Sequence, residues 1–152
     1  MNIRRFSESD FDEWLRMSRA LFAGDILESD VNEMRATLAR EDAAVFVIER
    51  DEEGRLAGYV EAGTRSVVDG CSSSPVGYIE AWYVDPDVRR TGIGRALLEA
   101  AENWSRERGY TEMGSDALID NEVSHAAHLR SGYEIVDRVV NFRKGLYPRA
   151  DR

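Results

Sequence analysis

The chain has 152 residues, 43% of them apolar and 32% charged, and a formal net charge of −9. That length suits one domain, 1–152, large enough to bury a core, and such a field disfavours nucleic acid and anionic membrane as partners while attracting a polycation. The single cysteine, Cys71, excludes an internal disulfide and a cysteine-rich metal site.

The charge is unevenly placed. Arg138, Arg143, Lys144, Arg149 and Arg152 against Asp151 give residues 138–152 a net of +4, which leaves −13 on the first 137. The plain alternative is that this acidity only keeps the protein soluble. The opening "MNIRRFSESD" has no apolar run of the kind a signal peptide carries, and no stretch is long enough to span a bilayer, so the cytoplasm is the expected compartment.

In chain order, "NIRRF" reads as a short strand. Ser7 then reads as an N-cap with Asp10 three residues on, and Glu8, Asp12 and Glu13 favour the positive end of a helix dipole. Phe11, Trp14, Leu15, Ser18, Leu21 and Phe22 follow at helical spacing. "AGDILES" breaks that helix, and a second begins near Ser29 or Asp30 with Val31, Met34 and Leu38 on one face. "AAVFVIER" and "LAGYVEAG", joined by the polar "DEEGR", predict a hairpin. The loop "TRSVVDGCSSSP", which holds Cys71 as an incidental thiol, leads into a third strand, Val76 to Val84. A helix with Leu97, Leu98, Ala101, Trp104 and Ser105 on one stripe follows, stopped by Gly109. "TEMGSDAL" reads as a short strand, Asp120 or Asn121 as the cap of a helix to about Arg130, and Gly132 as its end. "YEIVD" and "VVNFRK" read as closing strands. Strands and helices alternate around one mixed sheet, an α/β or α+β domain.

Between the third strand and its helix stands Arg89-Arg90-Thr91-Gly92-Ile93-Gly94. It is not a nucleotide P-loop, because Gly94 is followed by Arg95 and Ala96 rather than Lys and Ser or Thr. It is not a dinucleotide fingerprint either, because Leu97 stands where a small residue is needed. Its glycines permit left-handed backbone and close approach, so successive N–H groups can converge on phosphate oxygens at a helix N-terminus. The alternative is a tight turn with surface arginines.

Arg89-x-x-Gly92-x-Gly94 resembles the pyrophosphate-binding signature of the GNAT N-acetyltransferase superfamily. "WYVDP" is similar to its central strand and turn, and "NEVSHAAHLRSGY" to its later Asn-to-Gly-Tyr pattern. "YIEAWYVDP", "SDALIDNEVSHAAH" and "VVNFRK" resemble most the bacterial aminoglycoside 6'-N-acetyltransferases. The resemblance implies a GNAT fold: a central mixed, mostly antiparallel sheet of six to seven strands, splayed in the middle and flanked by about four helices. It implies acetyl-CoA as cosubstrate, no metal, a cationic aminoglycoside as acceptor at its 6'-amine, and a homodimer through the C-terminal strands. Acetylation of another amine (a polyamine or a protein N-terminus) is the nearest alternative, and a CoA-binding regulatory module without turnover is another.

Residue roles follow from the same resemblance. Strand alternation puts Tyr78, Glu80, Trp82 and Val84 on one face and Ile79, Ala81 and Tyr83 on the other. A carboxylate in that apolar run is an oddity. Glu80 would hold the substrate ammonium and take its proton, unless it is merely an edge or ion-paired glutamate. Trp82, Tyr83 and Val84 would meet pantetheine through their main chain, with the Val84 N–H polarising the thioester carbonyl. Arg89, Arg90, Thr91, Gly92, Ile93, Gly94 and Arg95 would hold the pyrophosphate. Asp116 and Tyr78 would line the acceptor site, and Phe22 and Asp25 its outer wall, although Phe22 also continues a core stripe and Asp116 also suits a cap. Asn121 and Ser124 would lie by pantetheine. His128 stands where the superfamily usually has the tyrosine that protonates the departing thiolate, and imidazolium can do the same. His125 and His128 alone, without a further ligand, do not make a metal site.

Overall fold

The computed structural model describes residues 1–148; Arg149, Asp151 and Arg152 of the basic tail lie outside the described residues. Internal contacts divide the chain into two units, Met1–Asp116 and the remainder from Ala117.

In the first unit the sheet has five strands in sequence order: β1 (Ile3–Arg5), β2 (Ala44–Glu49), β3 (Leu56–Arg65), β4 (Val76–Val84) and β5 (Met113–Ser115). β1 to β4 are antiparallel neighbours and β5 joins β4 in parallel. The helices are α1 (Phe11–Phe22), α2 (Glu28–Leu38) and α3 (Ile93–Glu107). Mixed α/β architecture with a mostly antiparallel sheet agrees with the sequence reading. The strand count is five rather than six or seven.

Ser7 and Asp10 do open the first helical segment: the Ser7 N–H donates to Asp10 Oδ2 at 2.8 Å. Phe11, Trp14, Met17 and Ser18 are the buried face of α1. Trp14 meets Phe6, Phe11 and Tyr59 edge-on at centroid distances of 5.0–6.3 Å. Each such buried side chain contributes about 1.5–3 kcal/mol of hydrophobic stabilisation. Val31, Met34 and Leu38 of α2 pack against the same cluster. The predicted stripe of α3, Leu97, Leu98, Ala101, Trp104 and Ser105, is buried throughout.

From Ala117 onward the regular element is α4 (Glu122–Arg130). Its cap is Asn121, whose side chain accepts from the Ser124 N–H at 3.2 Å, so Asn121 rather than Asp120 takes that place. The closing strands expected at "YEIVD" and "VVNFRK" do not form. Ile135, Val136, Val139, Val140 and Phe142 are exposed instead. Alternation supplies the side chains of a strand, but a strand also needs a neighbour for its N–H and C=O groups.

Candidate active site

The site grows out of one irregularity in β4. Ala81 pairs with Glu61 and Ile79 with Ala62, so Glu80 is an extra residue in β4, a β-bulge. One extra residue reverses the facing of everything after it. Strict alternation would put Tyr78, Glu80, Trp82 and Val84 on one face, and the structure overturns that. Glu80 lies over Gly63, where a Cβ would meet its Cγ and Oε1 at 3.2 Å. Trp82 and Val84 turn to the opposite face, against the start of α3, where a Cβ on Gly94 would meet Trp82 Cζ2 at 3.1 Å and Val84 Cγ2 at 3.5 Å.

Around Glu80 a chain of polar groups runs along the sheet. Arg65 Nε donates to Glu80 Oε1 at 3.0 Å and its Nη2 to Oε2 at 2.8 Å. The same guanidinium lies over the Tyr78 ring, 3.6 Å from its centroid. The Tyr78 hydroxyl donates to Asp116 Oδ2 at 2.5 Å. Burial, and then the Asp116 carboxylate, hold the Tyr78 phenol protonated well above its ordinary range. The structure thus brings Tyr78, Glu80 and Asp116 together, and Glu80 is ion-paired, as the plainer reading of it allowed. A cavity of about 310 Å³ opens beside this chain, lined by Thr37, Arg40, Ala43, Glu61, Ala62, Gly63, Thr64, Arg65 and Glu80.

Two of its polar residues, Arg65 and Glu61, were missed in the sequence. Glu61 carried the signal that singled out Glu80, a carboxylate inside an apolar strand run. Arg65 carried none, since its pairing depends on how β3 and β4 align.

Beyond Glu80 β4 runs on without β5 beside it. β5 pairs only with Gly77, Tyr78 and Ile79, so the strands part there. The Asp85 N–H donates to Ala57 O across to β3 at 2.8 Å. Amides along a strand alternate between its two edges, so the N–H groups of Trp82 and Val84 face the edge that β5 has left. Tyr83 is 7% and Ile93 8% exposed. Their side chains belong to the core; the Tyr83 main chain faces β3, where its carbonyl lies against Gly58, and only the Ile93 main chain can meet a ligand.

Past Val84 the loop is braced by buried charge. Asp85 accepts from Arg16 Nη1 at 3.0 Å and from Arg50 Nη2 at 3.1 Å. Burial opposes its ionisation, but the Arg16 and Arg50 bonds outweigh that, and its carboxyl lies below the usual range. Arg89 Nε donates to the Val84 carbonyl at 2.8 Å, and Thr91 Oγ1 to Val88 O at 2.6 Å. Arg90 (φ 62) and Gly92 (φ 90) are both left-handed. Glycine at 92 takes this without strain, and the turn feeds directly into α3. Gly94 lets that first turn lie against Trp82, whose Nε1 donates to Gly94 O at 3.0 Å. The first amides of a helix have no intrahelical acceptor and carry its positive end. Arg90 and Arg95 stand beside them, both exposed. An extended chain ending in an anion fits this path: amide partners along the β4 edge, then a phosphate-binding helix start.

In the second unit, Asn121, Ser124 and His128 come together on α4. His128 Nδ1 lies 2.8 Å from Ser124 O and its ring meets Tyr133 edge-on at 5.6 Å. His125 Nε2 is 2.8 Å from Leu118 O, so the two histidines use ring nitrogens on separate carbonyls. Phe22 is 66% exposed, off the core stripe it was expected to continue. α1 stops there because Ala23 turns left-handed at φ 49. Asp25 is exposed in the following loop. Among the described residues, no hydrogen bond or ion pair joins Phe22 or Asp25 to the Glu80 chain.

A parted sheet edge running into a helix start, with carboxylates at the parting, is the geometry of an acyl-CoA-dependent acyltransferase. The Acetyltransferase (GNAT) family profile matches residues 9–133, and the chain belongs to that family. It is 38% identical to an aminoglycoside N(6')-acetyltransferase type 1 of Stenotrophomonas maltophilia, over 97% of this chain and 95% of that one. A counterpart of the same name from Klebsiella aerogenes is 36% identical, covering 95% and 96%. Among solved structures, the apo aminoglycoside antibiotic 6'-N-acetyltransferase of Acinetobacter haemolyticus superposes with a TM-score of 0.88 at 35% identity, covering 97% of this chain and all of that one. AAC(6')-Iy in complex with the bisubstrate analogue CoA-S-monomethyl-acetylneamine gives 0.87 at 29%, covering 95% and 97%.

Proposed function

We propose that this chain is an aminoglycoside 6'-N-acetyltransferase, which moves the acetyl group of acetyl-CoA to the 6'-amine of the drug by direct attack in a ternary complex and so confers resistance. The observation that carries the reading is the β4 edge that β5 leaves after Ile79, continuous with the start of α3, in a chain whose relatives bear that name. Trp82 and Val84 offer main-chain groups to pantetheine, Tyr83 between them is turned to β3, and the Val84 N–H polarises the thioester carbonyl. Arg89, Arg90, Thr91, Gly92, Ile93, Gly94 and Arg95 take the pyrophosphate, mostly through amides. Tyr78, Glu80 and Asp116 receive the substrate ammonium, with Phe22 and Asp25 as outer wall. For Asn121 and Ser124 the family resemblance supports a pantetheine-contacting role, and for His128 the return of a proton to the thiolate. The chain works as a single catalytic domain, a reading supported by a family match that runs from residue 9 to residue 133.

The aminoglycoside assignment also rests on charge: acidity raises the local concentration of a polycation. It equally supports a protein without nucleic-acid or membrane partners, at work in the cytoplasm. Among the described residues no helix is long and apolar enough to cross a membrane. A homodimer is supported by the exposed apolar residues from Ile135 to Phe142, which have no strand partner among the described residues. Mass spectrometry of kanamycin and neamine incubated with protein and acetyl-CoA tests the activity. A single added acetyl at the 6'-nitrogen is the expected product; acetylation of peptides or polyamines alone would defeat the aminoglycoside reading.

A further inference from the structure

The ion pair between Glu80 and Arg65 raises a problem for the acetyl-transfer reading, on which this inference rests. A carboxylate held by two nitrogens of a guanidinium is a poor acceptor for a proton, because accepting one breaks a charge-assisted pair. Glu61 shares the cavity and is differently placed. It sits on β3 directly across from Ala81, beside the bulge, and is half-buried. Among the described residues no lysine or arginine lies within ion-pair distance of it. Its neighbours are the Thr37 hydroxyl from α2, Arg40 at the end of that helix, Tyr59 and Arg65 on its own strand, and Glu80 across on β4. Arg40 is already spent on Asp42, through Nε–Oδ1 and Nη2–Oδ2 bonds of 2.9 and 3.1 Å. Gly63 keeps the floor between the two glutamates open, since a Cβ there would press on Glu80 at 3.2 Å.

We propose that Glu61 is a second catalytic carboxylate, which takes the proton of the attacking substrate ammonium while Glu80 and Arg65 hold that nitrogen in place. The proton passes from R–NH3⁺ to the Glu61 carboxylate and leaves a neutral amine. The nitrogen lone pair forms the C–N bond to the thioester carbonyl and the C–S bond breaks. The electron pair leaves on sulfur, and the second nitrogen proton goes to the thiolate. The Glu61 proton is then released to water through the cavity mouth. Burial, and then the Glu80 charge, push the Glu61 carboxyl up to about 7, which suits an acceptor that must also let its proton go near neutrality.

The test compares E61Q, E61D and the unaltered chain with kanamycin and acetyl-CoA across pH 5.5–9. E61Q keeps the side-chain shape, so coenzyme A affinity by calorimetry stays within twofold. Its kcat falls at least tenfold, and the acid limb of kcat/KM near pH 7 disappears. E61D keeps that limb at reduced kcat. An E61Q enzyme with more than half the original kcat and an unchanged acid limb would overturn the proposal, as would loss of coenzyme A binding in step with activity, which marks a structural role. An unaltered chain that acetylates no aminoglycoside would sink both readings, whereas an active one indifferent to E61Q sinks this one alone.

Discussion

Replacing Glu61 with glutamine stabilises the fold in a pH-dependent way. In the folded chain the carboxyl is pushed from its ordinary 4.5 to about 7 by burial and by Glu80. Between those values the native state keeps a proton that the unfolded chain has released, so stability falls as pH rises through the window. A gap of about 2.5 pH units at about 1.4 kcal/mol each puts the full cost near 3 kcal/mol once both states are ionised. Glutamine carries no such cost. E61Q is therefore more stable than the unaltered chain by about 3 kcal/mol at pH 8 and by under about 1 kcal/mol at pH 5. For a chain of this length the pH 8 gain raises Tm by about 6–12 °C. Urea unfolding of both proteins at pH 5 and pH 8 measures it. Equal stabilisation at the two pH values, or none at pH 8, would refute the argument that Glu61 is held against its charge by its surroundings.

Three further outcomes follow from the site. E80Q leaves coenzyme A binding intact by calorimetry and lowers kanamycin acetylation at least tenfold, about the low end for losing a catalytic carboxylate; an unchanged rate would remove Glu80 from the chemistry. Gly94→Ala drives a methyl toward the Trp82 indole, 3.1 Å away, and shifts the first turn of α3, so the dissociation constant for coenzyme A rises about tenfold while urea stability changes by under about 1 kcal/mol. Asp85→Asn leaves Arg16 and Arg50 facing a neutral amide and destabilises the fold by about 1–2 kcal/mol, less than a fully broken buried pair, because Arg16 keeps Glu13, Arg50 keeps Asp87, and the Arg16 side chain is 44% exposed and screened by water; chemical denaturation reads this directly.

Much of the first unit was legible because its signals are local. Leu97 to Ser105 repeat at helical spacing and all face the core. The β2–β3 hairpin follows from two β-rich runs around a polar turn. The bulge at Glu80 was not legible, because an extra residue in one strand is defined only against its partner, here Glu61 and Ala62 on β3. Alternation read along β4 alone therefore sent Trp82 and Val84 to the wrong face. The closing segment fails for a related reason: "VVNFRK" has the side chains of a strand, and nothing in it states whose edge it would join. Phe22 keeps helical spacing at the last position of α1 and is exposed there, since the left-handed turn at Ala23 is a backbone event that an alanine does not announce.

The charge of the chain is spent in two opposite ways. Near the coenzyme path, several arginines are engaged internally: Arg16 and Arg50 neutralise Asp85, and Arg89 holds the Val84 carbonyl. On the proposed reading, anion binding there falls chiefly to amides and to the start of α3, which need no net positive charge and so can exist in a chain of −9. At the acceptor side the balance is the reverse. Of Glu61, Glu80 and Asp116, only Glu80 is held in an ion pair among the described residues, by Arg65, and Arg40, whose charge reaches Glu61, is matched by Asp42. An ammonium entering that cluster favours the ionised form of Glu61, because an adjacent positive charge lowers a carboxyl pKa. Binding of a cationic substrate and readiness of Glu61 to accept a proton are then two sides of one linkage, and affinity for the amine rises with pH through the window in which Glu61 titrates.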